Sequence, residues 1–239
     1  MSSEKGEGLL PVHGFVLAGG KSSRMGLDKA TLEFRGRPMV EIAVEKLREF
    51  CADVSIAGNR EDLSSHAEVV PEERVDAGPA AGVEAGLKAA KQEWALFVPV
   101  DVPLVPVSLL RRWAEVALEM GSNGDFDAFH LHVDRDQPAF CILRRSCAIP
   151  FSEKLGSGER RLSKLLHVAT KGFHRIGPDE LYPTGYPSVE TMDRWFMIIN
   201  TPDDLVAAEG FWENGTPSGM TTRKAKTKPR QSRDKGMAP

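Results

Sequence analysis

The segment Leu17-Ala18-Gly19-Gly20-Lys21-Ser22-Ser23-Arg24-Met25-Gly26-Leu27-Asp28-Lys29 gathers residue types that handle anions. Two adjacent glycines let backbone N–H groups approach a charged group closely. Arg24 and Lys29 add two cations within the same loop. Glycines plus fixed cations suit a polyphosphate, whose charge must be offset while a phosphorus atom is attacked. A turn with solvated surface cations is the plainer alternative. Two familiar patterns do not fit. A P-loop places Gly, four residues, then Gly-Lys-Ser/Thr; Gly20-Lys21-Ser22 supplies the end, but the first glycine position falls on Phe15. The dinucleotide pattern GxGxxG fails because the glycines are adjacent.

A second reactive group closes the apolar run Ala95–Val100. Asp101 stands at its end, where a bare carboxylate is costly unless it is paired or bound to a cation. Mg²⁺, held by one or two carboxylates together with phosphates and water, suits that position. Capping of the turn beside Pro103 is the alternative use of the same side chain.

These residues need a scaffold that brings strand ends together. Gly14–Ala18 reads as a buried strand feeding the glycine loop, and Val54–Ala57, Glu68–Val70 and Ala95–Val100 read as further strands. Between them, Val40, Val44, Leu47 and Cys51 recur at helical spacing, and Val83–Lys91 forms a second helical segment behind the Gly78–Gly82 turn. Leu109, Leu110, Trp113, Val116, Ala117 and Met120 mark one face of a third helix, closed by Gly121. This alternation predicts an α/β protein, a three-layer α/β/α Rossmann-like fold with a mostly parallel central sheet. Ligands of such sheets bind at the carboxyl ends of the strands. The second half is more mixed. Phe129–Val133 and Ala139–Leu143 read as paired strands, Arg161–Ala169 as a helix, Phe173–Ile176 and Trp195–Ile199 as strands, and Pro202–Phe211 as a helix.

The chain has 239 residues, 41% apolar and 27% charged, which is ordinary for a globular protein with a sizeable core. Its net charge of −3 is uneven: from Thr221 onward there are seven Lys/Arg against one Asp, leaving −9 on residues 1–220. One domain is expected over residues 9–215, followed by a basic, disordered tail over 216–239. The acidic body argues against nucleic-acid binding. No apolar run is long enough to span a bilayer, and the polar start is unlike a secretory signal. Cys51, Cys141 and Cys147 are odd in number and share no CxxC spacing, so a reducing cytoplasm is the expected location. His130 and His132 alternate with Phe129, Leu131 and Val133, which predicts a polar strand face rather than a metal site. Cys51, Cys141, Trp113 and Trp195 read as core.

The glycine loop resembles the signature of nucleotidyltransferases of the molybdenum cofactor guanylyltransferase family, and the resemblance runs on in order. Gly78-Pro79-Ala80-Ala81-Gly82 resembles that family's GPLAG turn, Val100-Asp101-Val102-Pro103 its Cys-Asp-x-Pro motif, and Arg135-Asp136-Gln137-Pro138 its Arg-x-His-Pro region. Gly158-Glu159-Arg160-Arg161 and Asn200-Thr201-Pro202-Asp203-Asp204-Leu205 match further segments, so the likeness covers about Gly14 to Phe211.

What the resemblance implies is Mg²⁺-dependent transfer of GMP from GTP to the phosphate of molybdopterin or the molybdenum cofactor, with release of pyrophosphate. It further implies transient contact with cofactor-biosynthesis proteins or recipient molybdoenzymes. By the same likeness, Leu17, Ala18, Gly19 and Gly20 contact the nucleotide through the backbone. Lys29 stabilises charge at the α-phosphate, Arg24 holds the departing phosphates, and Asp101 holds the metal. Glu72, where the family usually has Asp, matches the guanine N1–H and 2-amino donors; Asp76 is a nearby alternative. Arg160, Arg161 and Asn200 are implied on the acceptor side. Ala57, Gln137 and Ile198 depart from the family's Asn, His and Asn. Cytidylyl transfer, nucleotidyl transfer to another phosphorylated acceptor, and a nucleotide-binding regulator without turnover remain open at this point.

Overall fold

The computed structural model describes residues 8–19, 28–74, 76–185, 187–213 and 216–217. In chain order, β1 (Leu10–Leu17) precedes a small hairpin of β2 (Glu33–Phe34) and β3 (Arg37–Pro38), then α1 (Met39–Arg48) and β4 (Cys51–Ala57). β5 (Glu68–Val70), α2 (Pro79–Ala89), β6 (Trp94–Pro99) and α3 (Val107–Gly121) complete the first half. The second half runs β7 (Ala128–Val133), β8 (Arg135–Arg144), α4 (Ala148–Gly156), α5 (Leu162–Val168), β9 (Phe173–Ile176), α6 (Pro178–Leu181), α7 (Val189–Trp195) and α8 (Pro202–Gly210). It ends on the antiparallel pair β10 (Trp212–Glu213) and β11 (Thr216–Pro217).

Seven strands form one sheet in the order β5-β4-β1-β6-β8-β7-β9. β8 alone runs against the others, pairing antiparallel with both β6 and β7. The expected three-layer architecture follows from strand alternation. On β1, Val12 and Val16 face one side, where α1 and α3 pack, while Phe15 and Leu17 face the other, covered by α2, α4 and α5. Both faces being apolar, the central strands read as continuous hydrophobic runs, as a doubly covered parallel sheet requires.

Several expectations are corrected. Trp195–Ile199 is not a strand. Ser188 caps α7 by accepting from Thr191 N at 3.2 Å, Trp195 is that helix's last residue, and an irregular segment follows. Cys51 is not on the α1 stripe; it opens β4, buried against Gly14. β8 begins at Arg135, four residues before the expected start, because pairing with β7 resumes past a register shift between His130 and Leu131 and continues to Val133 opposite Arg135. His130 is not on a polar face either. It is 1% exposed, its ring edge-on to Phe173 at 5.0 Å, and burial pushes its pKa down to about 4. Thr216 and Pro217, at the head of the expected tail, pair back onto Trp212 and Glu213; residues 218–239 lie outside the described residues. No helix among the described residues is long and apolar enough to cross a membrane.

Candidate active site

The carboxyl ends of β1 and β6, with the segment after β5, open into a cleft of about 520 Å³. Leu17, Ala18 and Gly19 form its floor at the end of β1, and Lys29, Glu72, Gly78, Asp101, Gln137–Phe140 and Ile198 contribute to its walls. Gly20 and Arg24 lie outside the described residues. Ala18 N donates to Ala57 O and Val100 N to Leu17 O, so both neighbouring strand ends hold the β1 exit.

Lys29 is placed by a short turn. Leu32 N donates to Asp28 O at 2.9 Å, and Ala30 N to Asp28 Oδ1 at 3.0 Å. Val40 N and Met39 N, at the start of α1, donate to Ala30 O and Leu32 O, and Ala30 is buried beneath them. From outside, the Arg60 guanidinium grips Asp28 through both terminal nitrogens, Nη1 to Oδ1 at 2.8 Å and Nη2 to Oδ2. Such a planar two-point contact fixes orientation as well as charge.

So held, Lys29 Nζ donates to Asp101 Oδ2 at 2.7 Å and to Asn200 Oδ1 at 2.5 Å. Asp101 lies two residues beyond the end of β6, its main-chain oxygen accepting from Ile199 N at 3.0 Å. Asn200 and Thr201 both direct their N–H groups to Asp204 Oδ2, while Asp204 N donates back to Thr201 Oγ1. This reciprocal cap starts α8 and anchors Asn200 beside Lys29. The Asn200 N–H, then the Thr201 hydroxyl, hold the Asp204 carboxyl below its usual range. Under the same loop, Lys46 of α1 donates to Pro103 O and, at 2.7 Å, to Val105 O.

Glu72 stands across the cleft. Its carboxylate lies where a Cβ on Gly19 would come within 2.0 Å of Oε1, and a Cβ on Gly82 within 3.2 Å. Only glycine at position 19 leaves the carboxylate in this place. Burial raises the Glu72 pKa, and among the described residues no cation pairs with it. Asn59 is occupied with the Glu72 main chain, at 3.0 and 3.2 Å, rather than standing in for the asparagine that Ala57 replaces. Asp76 is exposed, with φ +61°, and does not line the cleft.

The structure thus brings Lys29, Asp101 and Asn200 together, with Glu72 facing the same space. It does not bring Arg160 and Arg161 into the lining. Both are exposed before α5; Arg160 Nη1 donates to Leu155 O at 2.5 Å, and their N–H groups reach Glu159 Oε1. Lys164 and the Arg161 N–H push the Glu159 pKa down to about 2. No sequence signal marks Arg60 or Lys46, and the sequence offers Asn59 only as a substitute for the asparagine missing at Ala57, not as a partner of the Glu72 main chain. The Thr201-x-x-Asp204 spacing was a readable capping signal, but nothing in the sequence pairs Arg60 with Asp28, 32 residues away.

Among the described residues no cluster of three His, Cys, Asp or Glu could hold a metal ion. The Asp101 carboxylate, with phosphate oxygens and water, would make a donor set that fits Mg²⁺.

An open α/β sheet with a charged cleft at its strand ends is an architecture that nucleotidyltransferases share with other nucleotide-binding proteins. A solved likeness is molybdopterin-guanine dinucleotide biosynthesis protein A from Archaeoglobus fulgidus, with TM-score 0.66, 24% identity, and coverage of 83% of this chain and 97% of that one. The chain belongs to the MobA-like NTP transferase domain family, whose model matches residues 14–173. A probable molybdenum cofactor guanylyltransferase from Chloroflexus aggregans is 30% identical over 214 residues, covering 84% of this chain and 97% of that protein. The molybdenum cofactor guanylyltransferase of Serratia proteamaculans is 33% identical over 164 residues, 66% of this chain and 80% of that one. The protein is a MobA-like nucleotidyltransferase.

Proposed function

We propose that this nucleotidyltransferase moves GMP from GTP onto the phosphate of molybdopterin or its molybdenum-bound form. The products are molybdopterin guanine dinucleotide and pyrophosphate. A terminal oxygen of the acceptor phosphate attacks the α-phosphorus in line; that O–P bond forms as the bond to the α,β-bridging oxygen breaks, and pyrophosphate departs. The observation that carries the reading is the Lys29 ammonium held between Asp101 and Asn200 in the cleft wall. The cleft volume of about 520 Å³ accommodates a nucleotide.

In this reading, backbone groups from Leu17 to Gly20 meet the nucleotide. Lys29 follows charge onto the α-phosphate, and Arg24 holds the leaving phosphates. Glu72 accepts from guanine N1–H and its 2-amino group, two adjacent donors that cytosine does not present. Mg²⁺ on Asp101 supplies neutralisation of phosphate charge when bound. Asn200, and less directly Arg160 and Arg161, serve the acceptor.

Incubation with Mg²⁺, molybdopterin and each nucleoside triphosphate in turn tests this reading, with dinucleotide and pyrophosphate as readouts. Equimolar appearance of both from GTP is expected. A preference for CTP would overturn the guanylyl assignment, and nucleotide binding without pyrophosphate release would overturn the transfer itself.

A further inference from the structure

We propose that Asn59 is the residue that positions Glu72 for base discrimination, acting as a surrogate peptide group that extends the sheet past the end of β5. This rests on Glu72 reading the base, as argued above.

β4 and β5 pair in parallel through Ala57 and Val70, and Gly58 N adds one further bond to Val70 O at 3.0 Å. There the main-chain ladder stops. Pro71 has no N–H to give, and the Gly58 carbonyl accepts instead from Arg60 N at 3.0 Å. The next residue of the β5 strand line is Glu72. Its N–H donates to Asn59 Oδ1 at 3.0 Å, and its carbonyl accepts from Asn59 Nδ2 at 3.2 Å. One carboxamide therefore presents an acceptor and a donor in the arrangement a peptide unit would, and Glu72 is held in strand-like register outside the strand.

The consequence lies at the side chain. With its main chain fixed, the Glu72 carboxylate projects over Gly19, into space that a Cβ there would fill. The following residue but one is anchored independently. Arg74 Nε meets both oxygens of the buried Glu84, at 2.9 and 3.1 Å, and Ser152 Oγ donates to the same carboxylate at 2.5 Å. The loop therefore keeps its path without Asn59, but Glu72 itself loses its only main-chain partners among the described residues. Selection of a purine by two adjacent donors needs a carboxylate fixed in both position and plane. A loosened Glu72 still offers charge but no longer that geometry.

The test compares GTP with ITP, which keeps N1–H and lacks the 2-amino group. Calorimetric Kd values with Mg²⁺ would be measured for wild type, Asn59→Ala and Glu72→Ala. Ser55→Ala, which removes a buried hydrogen bond to His13, serves as the stability control. Asn59 is exposed, so its truncation leaves the fold standing. The expected result is a fall of about tenfold in the GTP-over-ITP preference in Asn59→Ala. ITP affinity stays near wild type, and Ser55→Ala shows no change in preference. Loss of preference in Glu72→Ala but not in Asn59→Ala overturns the positioning role alone. Unchanged preference in Glu72→Ala overturns the base-reading role of Glu72, and the role of Asn59 with it.

Discussion

Lys29 Nζ and Asp101 Oδ2 lie 2.7 Å apart, bringing together the turn after the glycine loop and the loop after β6. Their side chains are 27% and 18% exposed, so the pair sits in the cleft wall with partial access to water. A lysine and an aspartate placed this way compensate each other until a ligand offers each a better partner. Phosphate oxygens compete for the ammonium, and a divalent cation competes for the carboxylate. Under the proposed function, the pair that compensates itself in the free cleft would supply both charges that a nucleotide–metal complex needs.

Asp101→Asn tests that division of labour. The amide keeps the size of the side chain and an oxygen within reach of Lys29, but loses the charge. Pyrophosphate release is expected to fall by a factor of about 10²–10³, with the circular dichroism spectrum and Tm close to wild type. Turnover retained at the wild-type level and Mg²⁺ dependence would remove Asp101 from its metal-binding role.

Arg60 acts at one remove, through Asp28. Its two-point grip cannot be copied by an ammonium, so Arg60→Lys keeps the charge while freeing the turn that carries Lys29. A decrease in kcat of about tenfold is expected, with KM for the nucleotide changing less. If kcat is unaffected, the Asp28–Arg60 contact holds the surface and not the chemistry.

Lys29 was legible as a loop cation and Asp101 as a strand-end carboxylate, while Glu72 was picked out only by the family resemblance. The three line one cleft because strand ends of a parallel sheet converge. The residues that fix them were not legible. Asn59 matters through the main chain of Glu72, and Arg60 through Asp28, contacts made only when separate loops meet. The run Trp195-Phe196-Met197-Ile198-Ile199 misled for a different reason. A short apolar stretch has no period that separates a strand from a helix end. Here Trp195 and Ile199 are both buried, one on α7 and the other in the segment that reaches the Asp101 main chain.

Lys46 gives a pH dependence of known sign. Burial pushes its pKa down to about 7, against about 10.4 for an unfolded lysine. Above both values the side chain is neutral in both states. As pH falls from about 10.4 to 7 the unfolded chain takes up the proton first, so stability drops across that window and levels off below it. The three buried cysteines, their pKa values raised by burial, act in the opposite sense. The informative quantity is therefore the difference in Tm between wild type and Lys46→Met. That difference should shift against wild type between pH 10 and 7. A difference independent of pH would mean that Lys46 stays charged throughout, solvated by the Pro103 and Val105 carbonyls.

Gly19→Ala separates folding from recognition most sharply. The new methyl would meet Glu72 Oε1 at 2.0 Å and Cδ at 2.8 Å, distances that no packed pair sustains. The obstacle is the end of a flexible side chain, so the carboxylate moves and the backbone need not. GTP affinity is expected to weaken about tenfold or more, and preference over ITP to vanish, while Tm stays near wild type. Gly210→Ala, where a methyl meets nothing within 4 Å, should change neither quantity. If Gly19→Ala binds GTP as wild type does, the Glu72 carboxylate does not need the place it occupies over Gly19, and base recognition must be sought elsewhere in the cleft.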